Sequence, residues 1–290
     1  MHMSWILLSL ATALSVATHD AWVKKYFSDL QPGTMMLYPM VYSLPLFLFT
    51  AFQVSKPTLD ATFWWCIVLS VPINLVSLFL YMKAIRLSPL SLTIPYLALT
   101  PVFMIGTGYL FLREMPTTGG LLGIAATGLG GYILHIDPQR WSLFSPLAAV
   151  FREPGSWLML VVAFLFSFGA VIGKLGILHS SPLFFTLWFL VALNLTTMLW
   201  FTLLGQVRWH TLSRRPLQGA VAGALLFAHA VCHGYAIEMT RAAYMISIKR
   251  LSILISVFYG GVFFREENMV FRFAGAACMV AGAVLIALAG

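Results

Sequence analysis

Charge is what this chain has least of. Asp, Glu, Lys and Arg make up 9% of its 290 residues, and the 9 carboxylates are outnumbered by 17 basic side chains. A soluble domain carries roughly a quarter charged residues. With 60% hydrophobic residues and a mean hydropathy of +0.91, the chain falls outside that class. The net charge of +8 is scattered through short loops and apolar runs. Without a basic tail or an aromatic-interleaved basic patch, no nucleic-acid partner is expected. The three cysteines, Cys66, Cys232 and Cys278, all lie in apolar runs, and an odd number of them excludes a disulfide framework. No cationic segment precedes the first apolar run, so that run reads as a membrane helix and not a cleaved signal. Catalytic dyads, nucleophile motifs and repeated filter segments are also missing, which argues against an enzyme or a channel, and no cofactor is expected.

Long apolar runs fill the space that charge leaves. Ten spans are expected, near 4–23, 34–53, 62–82, 91–112, 117–135, 155–178, 183–204, 217–238, 243–264 and 269–288. The fold class is therefore an all-α membrane protein of ten transmembrane helices. The longest break, IDPQRWSLFSPLAAVFREP, separates two five-helix halves, residues 1–137 and 155–290, with 138–154 as linker. Its SPLAAVF segment could form an interfacial turn.

The halves resemble one another. Ser4-Trp5 matches Ser156-Trp157 at an offset of 152, Lys24 and Pro32 match Lys174 and Pro182 at 150, and FLREM at 111–115 matches FREEN at 264–268. Five spans per copy is an odd number, so the copies must be inserted in opposite orientations. Inverted repeats are the architecture of alternating-access carriers with a midplane site.

The most demanding residues are Lys249 and Arg250, inside the span AYMISIKRLSILISVFYGGVFF. At ~1.5 Å per residue, Lys249 lies roughly 9 Å into it. One cation at the centre of an isolated helix costs about 2.5–3.5 kcal/mol. Such a pair persists beside a watery cavity, a counter-charge or an anionic ligand. On one helical pitch Lys249, Ser252, Ser256 and Tyr259 form a polar stripe, and the fourth span answers with Thr93, Tyr96, Thr100 and Thr107, broken by Pro95 and Pro101. Ser and Thr can instead bond back to their own helix carbonyls.

Other cavity candidates are Thr12, Ser15, His19 and Trp22 on the first span, and Asn74, Ser77 and Tyr81 on the third. Lys174 on the sixth is either a snorkelling residue or a substrate contact. On the eighth span His229 and His233 stand four apart with Cys232 beside them. They could share a metal, but no fourth ligand is evident beyond Glu238, which falls on a different face, so a hydrogen-bonding or proton-relay role is favoured and no metal is expected. Asp20, His19 and Glu238 are the candidates for proton coupling. Local pairing of Asp20 with Lys24, and of Glu238 with Arg241, is the competing reading. Tyr38 and Tyr42 with Pro39 and Pro45 suggest a bent gating helix, and Phe184, Phe185 and Trp188 suggest the same of its counterpart. Gly119-x3-Gly123 and Gly219-x3-Gly223 read as helix-packing faces.

The paired breaks TPVFMIGTGYLFLRE and LSILISVFYGGVFFREE, each followed by a Gly- or Ala-rich span, resemble the drug/metabolite transporter superfamily with paired EamA-type repeats. The Lys249-Arg250 dipeptide resembles the ninth-helix pair with which sugar-phosphate/phosphate translocators of that superfamily grip phosphate. The fourth span here, LTIPYLALTP, has no lysine. The resemblance implies a multi-pass carrier in the cell inner membrane. Its expected cargo is a small organic anion, held by Lys249 and Arg250 with Ser252, Ser256, Tyr259, Thr100, Asn74, His19 and His233 around it. An amino-acid or drug exporter, and a flippase for a lipid-linked phosphate, stay open. Lipid and a second copy of the chain are the other expected partners. Basic residues concentrate in the odd-numbered loops, which places those loops in the cytoplasm and both termini outside.

Overall fold

The computed structural model describes residues 4–88, 93–133, 154–205, 209–264 and 269–289. The linker, its SPLAAVF segment and the Arg265-Glu266-Glu267 cluster lie outside the described residues. Those described are helical or in connecting turns, with no strand among them. The helices are α1 (Ser4–Phe27), α2 (Pro32–Ala51), α3 (Ala61–Leu87), α4 (Thr100–Leu112), α5 (Thr118–Ile133), α6 (Pro154–Leu178), α7 (Pro182–Leu203), α8 (Pro216–Glu238), α9 (Ala242–Lys249), α10 (Ser252–Phe264) and α11 (Met269–Ala289). A 3₁₀ turn, Ile94–Leu99, leads into α4, and one helical turn, Trp209–Leu212, precedes α8. Among the described residues six helices, α1–α3 and α6–α8, are each long and apolar enough to cross a membrane.

Starts and stops follow local chemistry. Proline stands in the first turn of α2, α7 and α8, where a missing N–H costs nothing. Asp60 caps α3 by accepting from the Phe63 N–H at 2.9 Å, and the Ser181 side chain accepts from the Phe184 N–H at the start of α7. α4 stops at Arg113, whose φ of 55° is the left-handed turn that closes a helix.

Two of the expected spans are not continuous. The described part of the span expected at 91–112 is a 3₁₀ turn, Ile94–Leu99, followed by α4, because Pro101 cannot donate to the carbonyl a turn back and Pro95 stands in the first turn. The segment 243–264 is split between Lys249 and Ser252. There the Arg250 N–H reaches both Ile246 O and Ser247 O, and Leu251, Ile253 and Leu254 bond three residues back. Both second pieces begin at matching positions, Thr100 and Ser252, 152 apart.

α3 lies along α6, α1 along α8, and α5 along α11. The last contact is backbone to backbone. A Cβ at Gly123 would stand 2.7 Å from Gly282 O and 2.6 Å from Ile286 Cγ1, and one at Gly130 would stand 2.6 Å from Gly275 O. Gly119 meets Ala289, while Gly219 and Gly223 admit Tyr42 and the α2 backbone, so both small-residue motifs are packing faces. The apolar core runs through Phe27, Met35, Tyr38, Ile85 and Met159, with a second cluster around Phe63, Phe185 and Tyr244.

Gly123→Ala should cost about 1–3 kcal/mol, because the groups it meets include a backbone carbonyl. Gly106→Ala meets nothing within 4 Å and should be neutral or stabilising. Thermal melting of the two purified variants beside the parent checks both.

Candidate functional site

A cavity of about 220 Å³ sits where the two broken segments meet α1, α3, α6, α7 and α8. Lys249 and Arg250 both line it. Arg250 is 4% exposed, and its Nη2 donates to Thr100 Oγ1 at 2.9 Å, joining the two helix breaks. Its Nε has no hydrogen-bond partner among the described residues. Lys249 Nζ stands 3.5 Å from His233 Nδ1.

Opposite them, Asp20 is the one carboxylate that lines the cavity among the described residues. Tyr81 donates its hydroxyl to Asp20 Oδ2 at 2.5 Å, and His19 Nδ1 lies 3.2 Å from Oδ1. The expected local pair with Lys24 does not form. The Lys24 ammonium instead reaches the carbonyls of Ile85 and Ser88 at 3.2 and 2.9 Å, while Asp20 faces inward.

Of the residues singled out in the sequence, Lys249, Arg250, Ser252, Thr100, Asn74, His19, His233 and Asp20 line this one cavity. Ser256 and Tyr259 do not. A 3₁₀ step turns about 120° against about 100° for an α step. The interruption at Arg250 therefore rotates α10 off the pitch that would have carried the stripe inward. Ser256 is buried, with an Oγ that has no partner among the described residues, and Tyr259 meets Thr18 at 3.1 Å. Glu238 lies exposed at the end of α8, outside the cavity, and Arg241 turns to Tyr244, 3.3 Å from its hydroxyl. Thr12, Ser77, Thr107 and Ser247 bond back to carbonyls of their own helices. Ser70 and His229 line the cavity although neither is among the expected substrate contacts; the sequence favours a hydrogen-bonding or proton-relay role for His229 with His233.

Lys174 is neither snorkelling nor free for a ligand. It is 4% exposed, its Nζ donates to Glu114 Oε1 and, at 2.5 Å, to Thr240 O, and it lines the cavity wall. The other oxygen of Glu114 accepts from the Ala242 N–H at 3.0 Å, the first residue of α9. A carboxylate there favours the helix dipole, as does Lys249 at the opposite end.

Contacts between the two halves occur beyond the cavity at both ends. At the end where α1 starts, Asp60 meets His179 at 2.6 Å, and Tyr244 accepts from the Thr117 N–H at 2.8 Å. At the end where α1 finishes, Arg215 forms a two-pronged pair with Asp29 at 2.9 Å. Tyr38 donates to Thr211 O, Tyr42 to Leu212 O at 2.9 Å, and Trp22 to Gln218 O at 3.0 Å. Trp22, Tyr38 and Tyr42 thus tie down an end of the molecule instead of facing a ligand. The Arg215 hydrogen bonds hold the Asp29 carboxyl below its ordinary range, and the Phe63 N–H followed by His179 does the same for Asp60.

Comparison with known proteins bears on this arrangement. Residues 3–136 match the EamA-like transporter family. Members of that family are transporters and not enzymes. With the six apolar helices, the match supports a multi-pass membrane transporter of the drug/metabolite type. No curated protein matches the chain. Among 29 solved chains that do, one titled only as the crystal structure of a protein aligns at a TM-score of 0.68. It covers 98% of this chain and 94% of its own at 13% identity, a likeness of fold.

Two outcomes follow from the pairs. Lys174→Met strands Glu114 in a site where the side chains are 5% and 21% exposed, and should cost about 3–5 kcal/mol. Adding Glu114→Gln keeps an acceptor for Ala242 and should recover most of that loss in a melting assay. For Asp29, a depressed carboxyl binds a proton less readily folded than unfolded. Its contribution is present above the ordinary carboxylate range and is lost as pH falls through the depressed value. Asp29→Asn should then lower stability at neutral pH by about 0.2–1 kcal/mol, the range of an exposed pair. The difference should close in acid and shrink in high salt.

Proposed function

We propose that this chain is an alternating-access carrier of the inner membrane, built from two inverted five-helix repeats, whose cargo is a small phosphorylated or carboxylated organic anion. Pairing of the helices supports the repeat. If α1–α5 correspond to α6–α11 with the two broken segments matched, the α3–α6 contact has its image in α8–α1, and α5–α11 is its own image. Opposite insertion is supported by Gly155 at the start of α6, which packs on Ser88 at the end of α3, whereas α1 starts at the other end of the bundle.

The observation that carries the anion reading is the charge of the cavity wall. Lys174 is neutralised by Glu114, which leaves Lys249 and Arg250 against Asp20, 2 − 1 = +1. A guanidinium shielded from water, with one nitrogen still unpartnered among the described residues, is completed by a carboxylate or phosphate that accepts from Nε and Nη together. Ser252, Asn74 and His233 supply neutral contacts around it. Much of the remaining wall is apolar, including Phe166, Phe185 and Phe189, and suits the carbon skeleton of an organic anion.

Ligand-induced melting shifts test the reading on wild type, Lys249→Ala and Arg250→Ala, against phosphorylated metabolites, carboxylates, amino acids, a polyprenyl phosphate and lipophilic cations. An anion should stabilise the wild type, and each substitution should weaken its binding at least tenfold, as expected for loss of a charge-assisted hydrogen bond of about 1.5–3 kcal/mol. Stabilisation by cations or neutral compounds that ignores both substitutions would make the pair structural.

A further inference from the structure

The hydrogen bonds around Asp20 fix the state of its neighbour. Tyr81 donates to one carboxylate oxygen, and the other lies 3.2 Å from His19 Nδ1. With both oxygens accepting, the hydrogen between His19 and Asp20 sits on Nδ1, and Nε2 keeps its lone pair. That Nε2 is buried and has no hydrogen-bond partner among the described residues, on a ring that lines the cavity. An imidazole backed by a carboxylate through Nδ1 and unpartnered at Nε2 is built to take a proton at Nε2, since the carboxylate stabilises the imidazolium that forms.

Resting on the anion reading above, we propose that His19 is the proton-binding residue of the cavity: a dianion on Lys249 and Arg250 enters with one proton, taken from solvent by His19 Nε2. Asp20 and Tyr81 are positioning residues for that ring. Charge decides when the proton is needed. Lys249, Arg250 and Asp20 sum to +1, which a monoanion cancels. A dianion leaves one negative charge, and imidazolium at His19 restores neutrality. The proton leaves His19 when the dianion leaves, so a dianion and a proton move together.

The other titratable groups around this corner are Tyr81 from α3, Lys174 from α6, His229 and His233 from α8, Lys249 and Arg250 from the ninth segment, and Tyr259, which meets Thr18 from α10. Of these His229 is the rival, because its Nε2 is also buried and unpartnered among the described residues. It has no carboxylate behind it: its ring neighbour is His233, with centroids 5.9 Å apart.

Sulfate and acetate test the proposal, because sulfate stays a dianion and acetate a monoanion from mildly acid to mildly alkaline pH. Binding to the purified full chain is measured across that range by melting shift and calorimetry. In the wild type, sulfate affinity should fall about tenfold per pH unit on the alkaline side of the histidine range, the slope for one linked proton. Acetate affinity should stay nearly flat. His19→Gln should flatten the sulfate profile while melting as a folded protein. Asp20→Asn raises the wall charge to +2, which a dianion alone cancels, so it should flatten the sulfate profile as His19→Gln does, whereas Tyr81→Phe leaves the charge unchanged and should keep the slope. An unchanged slope in His19→Gln, or a slope lost in His229→Gln instead, overturns the assignment. Sulfate stabilisation that survives both Lys249→Ala and Arg250→Ala removes the anion reading itself, and this inference with it.

Discussion

One buried guanidinium sets the terms for this structure. Arg250 sits where lipid-like surroundings would charge several kcal/mol for its isolated ion, and the chain meets that cost from several directions. α9 ends beside it, so the negative end of a helix dipole faces the cation. The Thr100 hydroxyl reaches it from the other half. Asp20 lines the same cavity, fixed by Tyr81 and His19 so that its carboxylate is not free to seek a partner elsewhere. The break in the ninth segment belongs to this solution. At the break Leu251, Ile253 and Leu254 bond three residues back, and Ser252 beyond it still lines the cavity.

The two ends of the molecule are closed by different chemistry. Where α1 starts, the links are the largely buried ion pair of Lys174 with Glu114, joined to backbone groups of Thr240 and Ala242, and the exposed contact of Asp60 with His179. Where α1 finishes, the ionic link, Asp29 to Arg215, has side chains 56% and 38% exposed and is accompanied by neutral bonds to carbonyls. Salt and water weaken the Asp29–Arg215 and Asp60–His179 contacts and scarcely reach Lys174–Glu114. Two halves of similar sequence therefore meet through unequal contacts. Any motion that opens one end and shuts the other works against different resistance in each direction.

Much of this was legible in the sequence. Apolar run lengths located the helices, the Gly-x3-Gly motifs found the close crossings, and the cation pair led to the cavity. Pro95 and Pro101 announced the first helix break, because proline withholds a donor wherever it stands. The second break carries no proline or glycine. Its causes are tertiary, a cap from Glu114 at one end of α9 and the demands of Arg250 at the other, so extrapolating one pitch through it carried Ser256 and Tyr259 to the wrong face. Asp20 shows the same limit. The local rule pairs it with Lys24 one turn on, whereas the fold offers Tyr81, 61 residues away, and carbonyls for Lys24. Lys174 had no local partner to find, since Glu114 lies 60 residues before it.

What joins site to closure is the short helix α9. Its first N–H is held by Glu114, which is held in turn by Lys174, and its last residue is Lys249. Eight residues span about 12 Å, so the latch and the cation pair are two ends of one rigid rod. Lys174 also lines the cavity, so the ion pair and the cation pair border the same space. Losing Lys174 would leave unpaired the carboxylate that accepts from the first N–H of α9.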